Sequence, residues 1–348
     1  MKTRNMYPWV LFIMVFSSYL MLPMLSTVTL QLKNSTPFYL GLTLGIFGLT
    51  FSITAYFSVQ LAHKVGPRVM STLGLLLFAV GSLLAAWAES VEILTLARAV
   101  QGLGAGTSVL LSTNNAAVRI YAVLAAMMFG MLWVWSLTAP QFFLALMVLS
   151  LVAMIWVLVG GELTIVEGVE EMPGKGEARQ RCLNSFFATA IFAGIFTILP
   201  INILLLNNLP ELLHPVVYLP AGLVVLTFYL LSRKRALFQN VVIGSRLCIL
   251  AMAVALWVLS RSASNLGLLI ISVTLLLTAF VMLEVNTTRL PVGMIAGKAC
   301  LEGLGLFVGA VVSALIYAHQ GSEGVYLVLL AISLLWSFAT YTSRSRGR

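Results

Sequence analysis

The chain contains no aspartate, so every acidic role in its 348 residues falls to eleven glutamates. Charge of either sign is scarce: 9% of the residues are charged, 60% are hydrophobic, and the mean hydropathy is +1.03. That balance excludes an ordinary soluble domain and reads as a chain crossing a membrane many times. Cysteine is nearly absent too. Cys182, Cys248 and Cys300 are odd in number and lack metal-ligand spacing, so neither a disulfide framework nor a metal site is expected. The three histidines, His63, His214 and His319, are scattered between apolar runs without zinc spacing. No serine, cysteine or histidine stands with a base as an activated nucleophile would, so no enzyme and no cofactor are expected. The GLGAG run (Gly102–Gly106) lies inside an apolar segment with no strand before it, the wrong setting for a dinucleotide fingerprint.

What is present is apolar length. Twelve segments, each long enough to span a bilayer, run near 8–30, 38–60, 69–88, 92–115, 119–138, 141–161, 184–206, 213–232, 239–260, 265–285, 295–317 and 323–342. The first lacks a small-residue cleavage site and reads as a retained helix. The net charge of +9 is distributed as topology signals and not as a nucleic-acid patch. With the amino terminus inside, basic residues from Lys2 and Arg4 through Lys64, Arg68, Arg119, Arg181, Arg233, Arg289 and Lys298 to Arg348 fall on the cytoplasmic side, and only Lys33 and Arg261 fall outside. Fusing the fifth and sixth segments, which only Ala139 and Pro140 separate, would invert the second half; twelve is therefore the count that obeys the rule. The longest polar interval lies between the sixth and seventh segments and carries Glu162, Glu167, Glu170, Glu171, Pro173 and Gly174. It divides the chain into residues 1–161 and 184–348, with 162–183 as a flexible cytoplasmic linker. The last segment ends so near Arg348 that no further soluble domain is expected.

The stretch Leu94–Gly106 (LTLARAVQGLGAG) is the most informative. An arginine near the middle of a spanning helix costs ~2.5–3.5 kcal/mol to insert, so Arg98 should face protein or a wet cavity. Arg98, Gln101 and Gly102 share one helix side, and Gly102 and Gly106 are spaced for close approach of a second helix. Snorkelling of Arg98 to the nearer interface is the plainer reading. Its depth, about one and a half turns in, favours a helix lining a polar pathway, with the guanidinium held in a water-accessible gap. Most glutamates sit in polar intervals, but Glu284 closes the tenth segment and Glu302 lies within the eleventh. Gly305, Gly309 and Ser313 follow on the face of Glu302, a packing seam that turns this carboxyl toward protein. A carboxyl so placed is a candidate proton carrier, as is Glu284, against the alternative that each is a satisfied structural carboxyl. Asn202 of the seventh segment is a further polar group inside a span.

These motifs resemble the major facilitator superfamily, in particular its drug–proton antiporter branch and most nearly the YajR-type transporters. The likeness rests on LMLPML (Leu20–Leu25), LGLTLGIFGLTFSITAYF (Leu40–Phe57), QLAHKVGPR (Gln60–Arg68) and RAVQGLGAG (Arg98–Gly106), with weaker echoes in VYLPAG (Val217–Gly222) and FVMLE (Phe280–Glu284). It implies an all-α membrane protein with twelve transmembrane helices in two six-helix bundles around a central cavity. It further implies alternating-access efflux of a small amphipathic molecule across the cytoplasmic (inner) membrane, possible proton coupling, both termini cytoplasmic, and a monomer in the lipid bilayer. Arg98, Gln101, Glu284, Glu302 and Asn202 are then the pathway or coupling residues, and His63, Lys64, Gly66 and Arg68 the gating loop. That loop departs from the family pattern, with His63 where an aspartate is usual, and the fifth segment (Ala125–Pro140) lacks the glycine-proline motif of antiporters. Two readings follow: a latch with its charge signs exchanged, Glu284 or Glu302 facing His63 or Lys64, or a non-transporting relative kept as a membrane scaffold or sensor.

Overall fold

The structure is a computed structural model that describes residues 7–107, 118, 121–126, 137–159, 175–204, 217–218, 220, 222–224, 227, 241–262, 265–287 and 292–345. Among these residues ten helices of ten residues or more are formed: α1 (Tyr7–Leu20), α2 (Leu22–Gln31), α3 (Pro37–Val65), α4 (Pro67–Ala86), α5 (Val91–Thr107), α6 (Ala139–Val159), α7 (Lys175–Leu204), α8 (Val241–Arg261), α9 (Leu266–Thr287) and α10 (Val292–Ser345). Seven helices among the described residues are long and apolar enough to cross a membrane, or eight if the bent pair α1 and α2 counts as one span.

The helices fall on the apolar segments, with informative differences at their ends. The first segment, expected as one rod, breaks at Met21 with a 45° bend. Pro23 lies in the first turn of α2, where a proline is tolerated, but without an N–H it cannot continue the hydrogen-bond ladder of α1. Helix α7 starts at Lys175, nine residues ahead of the expected 184, so part of the stretch read as linker is helical. Its one glutamate, two arginines and glutamine are good helix formers that continue the helix beyond the apolar run. The eleventh and twelfth segments lie in one 54-residue element, α10, whose backbone leaves helical geometry at Gly321 (φ 67°). A length of ~20 residues suffices for one crossing, so α10 holds enough chain for two. Residues 127–136, with the methionines and tryptophans of the fifth segment, and most of the eighth segment lie outside the described residues.

Contacts run along two sets of helices. In the first, α5 lies between α3 and α4, α6 packs on α4, and α1 leans on α6. In the second, α7 and α8 pack on α10 and α9 packs on α8 and α7. Contacts across the two sets are chiefly between α3 and α10, and between α2 and α7. Helix α7 is the most enclosed: Ile191, Phe192, Ile195, Phe196, Ile198 and Leu199 are all fully buried, and Phe192 stacks on Phe280 of α9 at 4.2 Å. Outward faces carry exposed Leu96, Ile155, Ile271, Leu335 and Phe338, the inside-out polarity of a protein solvated by lipid.

Close approach depends on small residues at three seams. A methyl group on Gly102 or Gly106 would collide with the backbone of α3 at Phe47 and Phe51, and one on Gly104 with α4 at Gly74 and Phe78. Helix α5 is thus clamped on two sides at backbone distance. Gly305 and Gly309 of α10 meet α7 at Phe186 and Ala190 in the same way. The third seam joins the two sets: Gly41, Gly45 and Gly48 of α3 face Ala310, Phe307 and Gly303 of α10, and Ser52 donates to the Cys300 carbonyl. Gly66 is a different case, because its φ of 91° is disfavoured for any side chain while nothing crowds it. It closes α3 by donating to the Ala62 carbonyl at 2.9 Å, and Pro67 begins α4.

Candidate functional site: two buried charge clusters

Arg98 is 1% exposed, among the largest fully buried side chains of the protein. Snorkelling is therefore not what it does. Its Nη1 donates to Gln101 Oε1 at 2.7 Å and to Met21 Sδ at 3.0 Å, and its Cζ lies 4.3 Å from the centre of the Phe47 ring. Gln101 in turn donates from Nε2 to Ser82 Oγ at 2.9 Å, which donates to the Phe78 carbonyl at 2.8 Å. The water-accessible gap expected around Arg98 is replaced in this conformation by a ring face, a thioether and an amide. A desolvated cation–π contact contributes about 2 kcal/mol and a hydrogen bond to a charged group about 1.5–3 kcal/mol. These are of the size of the insertion cost of about 2.5–3.5 kcal/mol, so neutral groups suffice to hold the cation without neutralising it.

The second cluster lies where α9 and α10 meet. Lys298 Nζ is 2.7 Å from Glu302 Oε1, one helical turn on, and 3.1 Å from Glu284 Oε1 of α9. All three are buried. Helix α7 closes the cluster from a third side, since Thr189 Oγ1 donates to the Glu302 carbonyl at 3.0 Å and buried Arg181 stands earlier on the same helix. Lys298 and Arg181 read in the sequence only as topology charges on the cytoplasmic side. The structure adds that both side chains are buried, because packing, and not charge alone, decides which cations reach water. The spacing of Lys298 and Glu302, four apart on one face, was the signal available in the sequence.

The remaining expected residues are placed as follows. Asn202 is half-buried and donates to the Tyr326 hydroxyl at 2.7 Å, an interhelical bond near Pro200 of α7. A matching tie nearer the other end of α7 is Asn184, whose Oδ1 accepts from Trp336 Nε1 at 3.0 Å and from Gln180 at 3.1 Å. In the gating loop, exposed Arg68 donates from Nε to the Val157 carbonyl at 3.1 Å and from Nη2 to the Leu158 carbonyl. It thereby caps the last turn of α6, where a cation is favoured. Lys64 is exposed and makes no ion pair among the described residues, so it does not supply a sign-exchanged latch to Glu284 or Glu302; the His63 side chain lies outside the described ones. Ser18 and Thr278 donate to their own helices, at Met14 and Thr274.

A many-helix bundle with a buried arginine on one side and a buried carboxylate–ammonium cluster on the other has the make-up of a multi-pass membrane transporter. Comparison with known proteins agrees with that class. Residues 9–119 match the sequence profile of the Major Facilitator Superfamily. An "Uncharacterized transporter" of Buchnera aphidicola subsp. Baizongia pistaciae is 36% identical over 95 residues, 27% of this chain and 24% of that protein. The "Inner membrane transport protein YajR" of Escherichia coli (strain K12) is 33% identical over 87 residues, 25% of this chain and 19% of that protein. The matched segments thus span a quarter or less of these curated relatives. The fold likeness is longer: the human organic anion transporter MFSD10 superposes with a TM-score of 0.71 at 16% identity over 97% of this chain and 98% of that one. The xylose transporter XylE of Escherichia coli, in a partially occluded inward-open form, gives 0.70 at 13% identity over 96% and 97%. The fold is that of these transporters, and the sequence match supports membership of the Major Facilitator Superfamily.

Proposed function

We propose that the chain is a secondary active transporter of the drug–proton antiporter branch, moving a small amphipathic molecule out across the cytoplasmic membrane by alternating access. In this reading twelve crossings form two six-helix bundles, residues 1–161 and 184–348, joined by the linker and with both termini cytoplasmic. The observation that carries it is the guanidinium of Arg98, 1% exposed in a bundle whose outer face is apolar. A scaffold that only had to sit in lipid would have no use for so costly a group. Glu284 and Glu302, with Lys298 between them, are the proton-exchanging groups, since a proton can pass among three titratable side chains held within 3.1 Å of the central nitrogen. The scaffold or sensor reading keeps one observation in its favour, the loop with His63 in place of an acid.

The seam between α3 and α10 decides between them. Rocking of two halves must shift this seam, where Ser52 Oγ lies 3.4 Å from Cys300 Sγ. Ser52→Cys should form a disulfide with Cys300 under mild oxidation, because that separation suits the bond with little movement. The cross-linked protein should lose export of an amphipathic dye from loaded proteoliposomes and regain it on reduction. Export that is undiminished by a complete cross-link, or absent from the wild type throughout a panel of such dyes, would refute transport by rocking.

A further inference from the structure

Among the described residues Arg98 is buried without a counter-ion, and the sequence leaves few acids to supply one. The chain has no aspartate, and residues 1–161 contain only two glutamates, Glu89 and Glu92. Both are exposed at the head of α5, and Glu92 is hydrogen-bonded to Asn34 at 3.1 Å. The segments around α5 that the structure does not describe, 108–117, 119–120 and 127–136, hold no acidic residue at all. In the second half, the buried glutamates among the described residues, Glu284 and Glu302, are taken by Lys298. Arg98 therefore keeps a full positive charge among neutral groups, and its Nε has no hydrogen-bond partner among the described residues.

Building on the transporter reading, we propose that Arg98 anchors the anionic group of the transported molecule, so that the substrate is a small amphipathic anion of the carboxylate class. The neutral partners are those an anion would displace. Gln101 presents its carbonyl to Nη1 because its amide is committed to Ser82, so the oxygen facing Arg98 is a stand-in for a substrate carboxylate oxygen. Met21 covers the other side from the break between α1 and α2, a point where a small change of the 45° bend moves the thioether without unwinding either helix. The Phe47 ring closes the third side. A carboxylate replacing the thioether makes charge-assisted bonds to the guanidinium fork, which are about twice as strong as neutral ones. The low dielectric that makes a lone buried charge costly also makes its pairing more favourable than in water.

The test uses 2-naphthoate, 2-naphthamide and 2-naphthyltrimethylammonium, three probes of one shape and different charge, titrated into the full chain in lipid nanodiscs. A ligand that binds only the folded state raises the apparent melting temperature. The wild type should respond to naphthoate more strongly than to the amide, and not to the ammonium. Gln101→Glu places a permanent carboxylate at the position 2.7 Å from Nη1, and should fold at least as stably as the wild type while losing the naphthoate preference. Arg98→Gln should weaken naphthoate binding by about thirtyfold or more, as removal of one partner of a buried charge pair does. Should either variant fail to accumulate, Arg98→Lys decides, because a point charge in place of the fork should lower the preference. A naphthoate response no larger than that to the amide, or a preference that survives Gln101→Glu or Arg98→Lys undiminished, overturns the proposal. Counterflow of the same probes in proteoliposomes separates the two readings. Movement of the amide or ammonium with no anion preference overturns the anchor and keeps the transporter; anion binding without movement supports the anchor and overturns the transporter.

Discussion

Replacing Lys298 by methionine should destabilise the protein by about 3–5 kcal/mol, the cost of removing one partner from a buried ion pair. The side chain is similar in length and the helix is indifferent to the exchange, so neither volume nor propensity accounts for a loss of that size. What changes is that Glu302 and Glu284, 2.7 and 3.1 Å from the ammonium, lose a cation in a place with little water. The expected result is a sharp fall in the fraction of protein that elutes as a single species after detergent extraction, with a lower melting temperature in nanodiscs. The triple variant Lys298→Met, Glu284→Gln, Glu302→Gln should recover most of that stability, since a neutral cluster leaves no uncompensated charge. It should not recover proton-coupled export if the glutamates carry the proton. A Lys298→Met protein as stable as the wild type would mean that the glutamates are held by other groups, and the cluster would lose its standing as a unit.

Lys298 also shows where sequence reading stops. Its charge and its position near the end of a segment fit the positive-inside rule when that end is read as cytoplasmic, and the rule counts charges without regard to which way they face. The turn that directs Lys298 at Glu302 is visible in their four-residue spacing, but the partner on α9 comes from tertiary packing alone. Arg98 was legible for the opposite reason: it lies too deep for lipid to tolerate, so burial inside protein was its main alternative to snorkelling. What covers it was not legible. Nothing in the chain order says that Met21, at the break between α1 and α2, and Phe47, inside α3, meet on one guanidinium. Apolar length placed the helices well because a span must satisfy its backbone internally, whatever its side chains. The ends slipped where this constraint ends. Helix α3 continues to Val65 and α7 begins at Lys175, both with polar residues that are helical outside the apolar run. The glycine spacing of α5 and α10 marked surfaces of close approach, and the structure supplies their partners, α3 for Gly102 and Gly106 and α7 for Gly305 and Gly309.

The other large effect concerns one of those glycines. A β-carbon on Gly309 would collide with the Ala190 carbonyl oxygen and lie 2.7 Å from the Ala190 Cα, so a substitution meets backbone that no rotamer change can move aside. Gly309→Val should cost about 3 kcal/mol or more, the upper end of overpacking, because α10 must separate from α7 along the whole seam. Gly297→Val is the matched control: it lies on the same helix, is exposed, and has nothing within 4 Å of the added carbon, so it should change the melting temperature little. Gly303→Val falls between, since its neighbours include the Gly48 carbonyl of α3 but also the Phe51 ring at 2.9 Å, which can rotate. The order of loss, Gly309 above Gly303 above Gly297, is the measurement, read as melting temperature and folded yield for the three variants. It separates a rigid seam from a sliding one. Helices α7 and α10 are held by Thr189 on the Glu302 carbonyl, Asn184 on Trp336 and Asn202 on Tyr326, three fixed hydrogen bonds along one helix pair. Along α3 and α10, among the described residues, only Ser52 reaches across with a side-chain hydrogen bond, to Cys300. A surface meant to shift has small residues and few directional bonds, because each bond broken in lipid has no water to replace it. If Gly309→Val were as harmless as Gly297→Val, α7 and α10 would not be in backbone contact, and the position of Glu302, one and two turns before Gly305 and Gly309 on the same face, would fall with it.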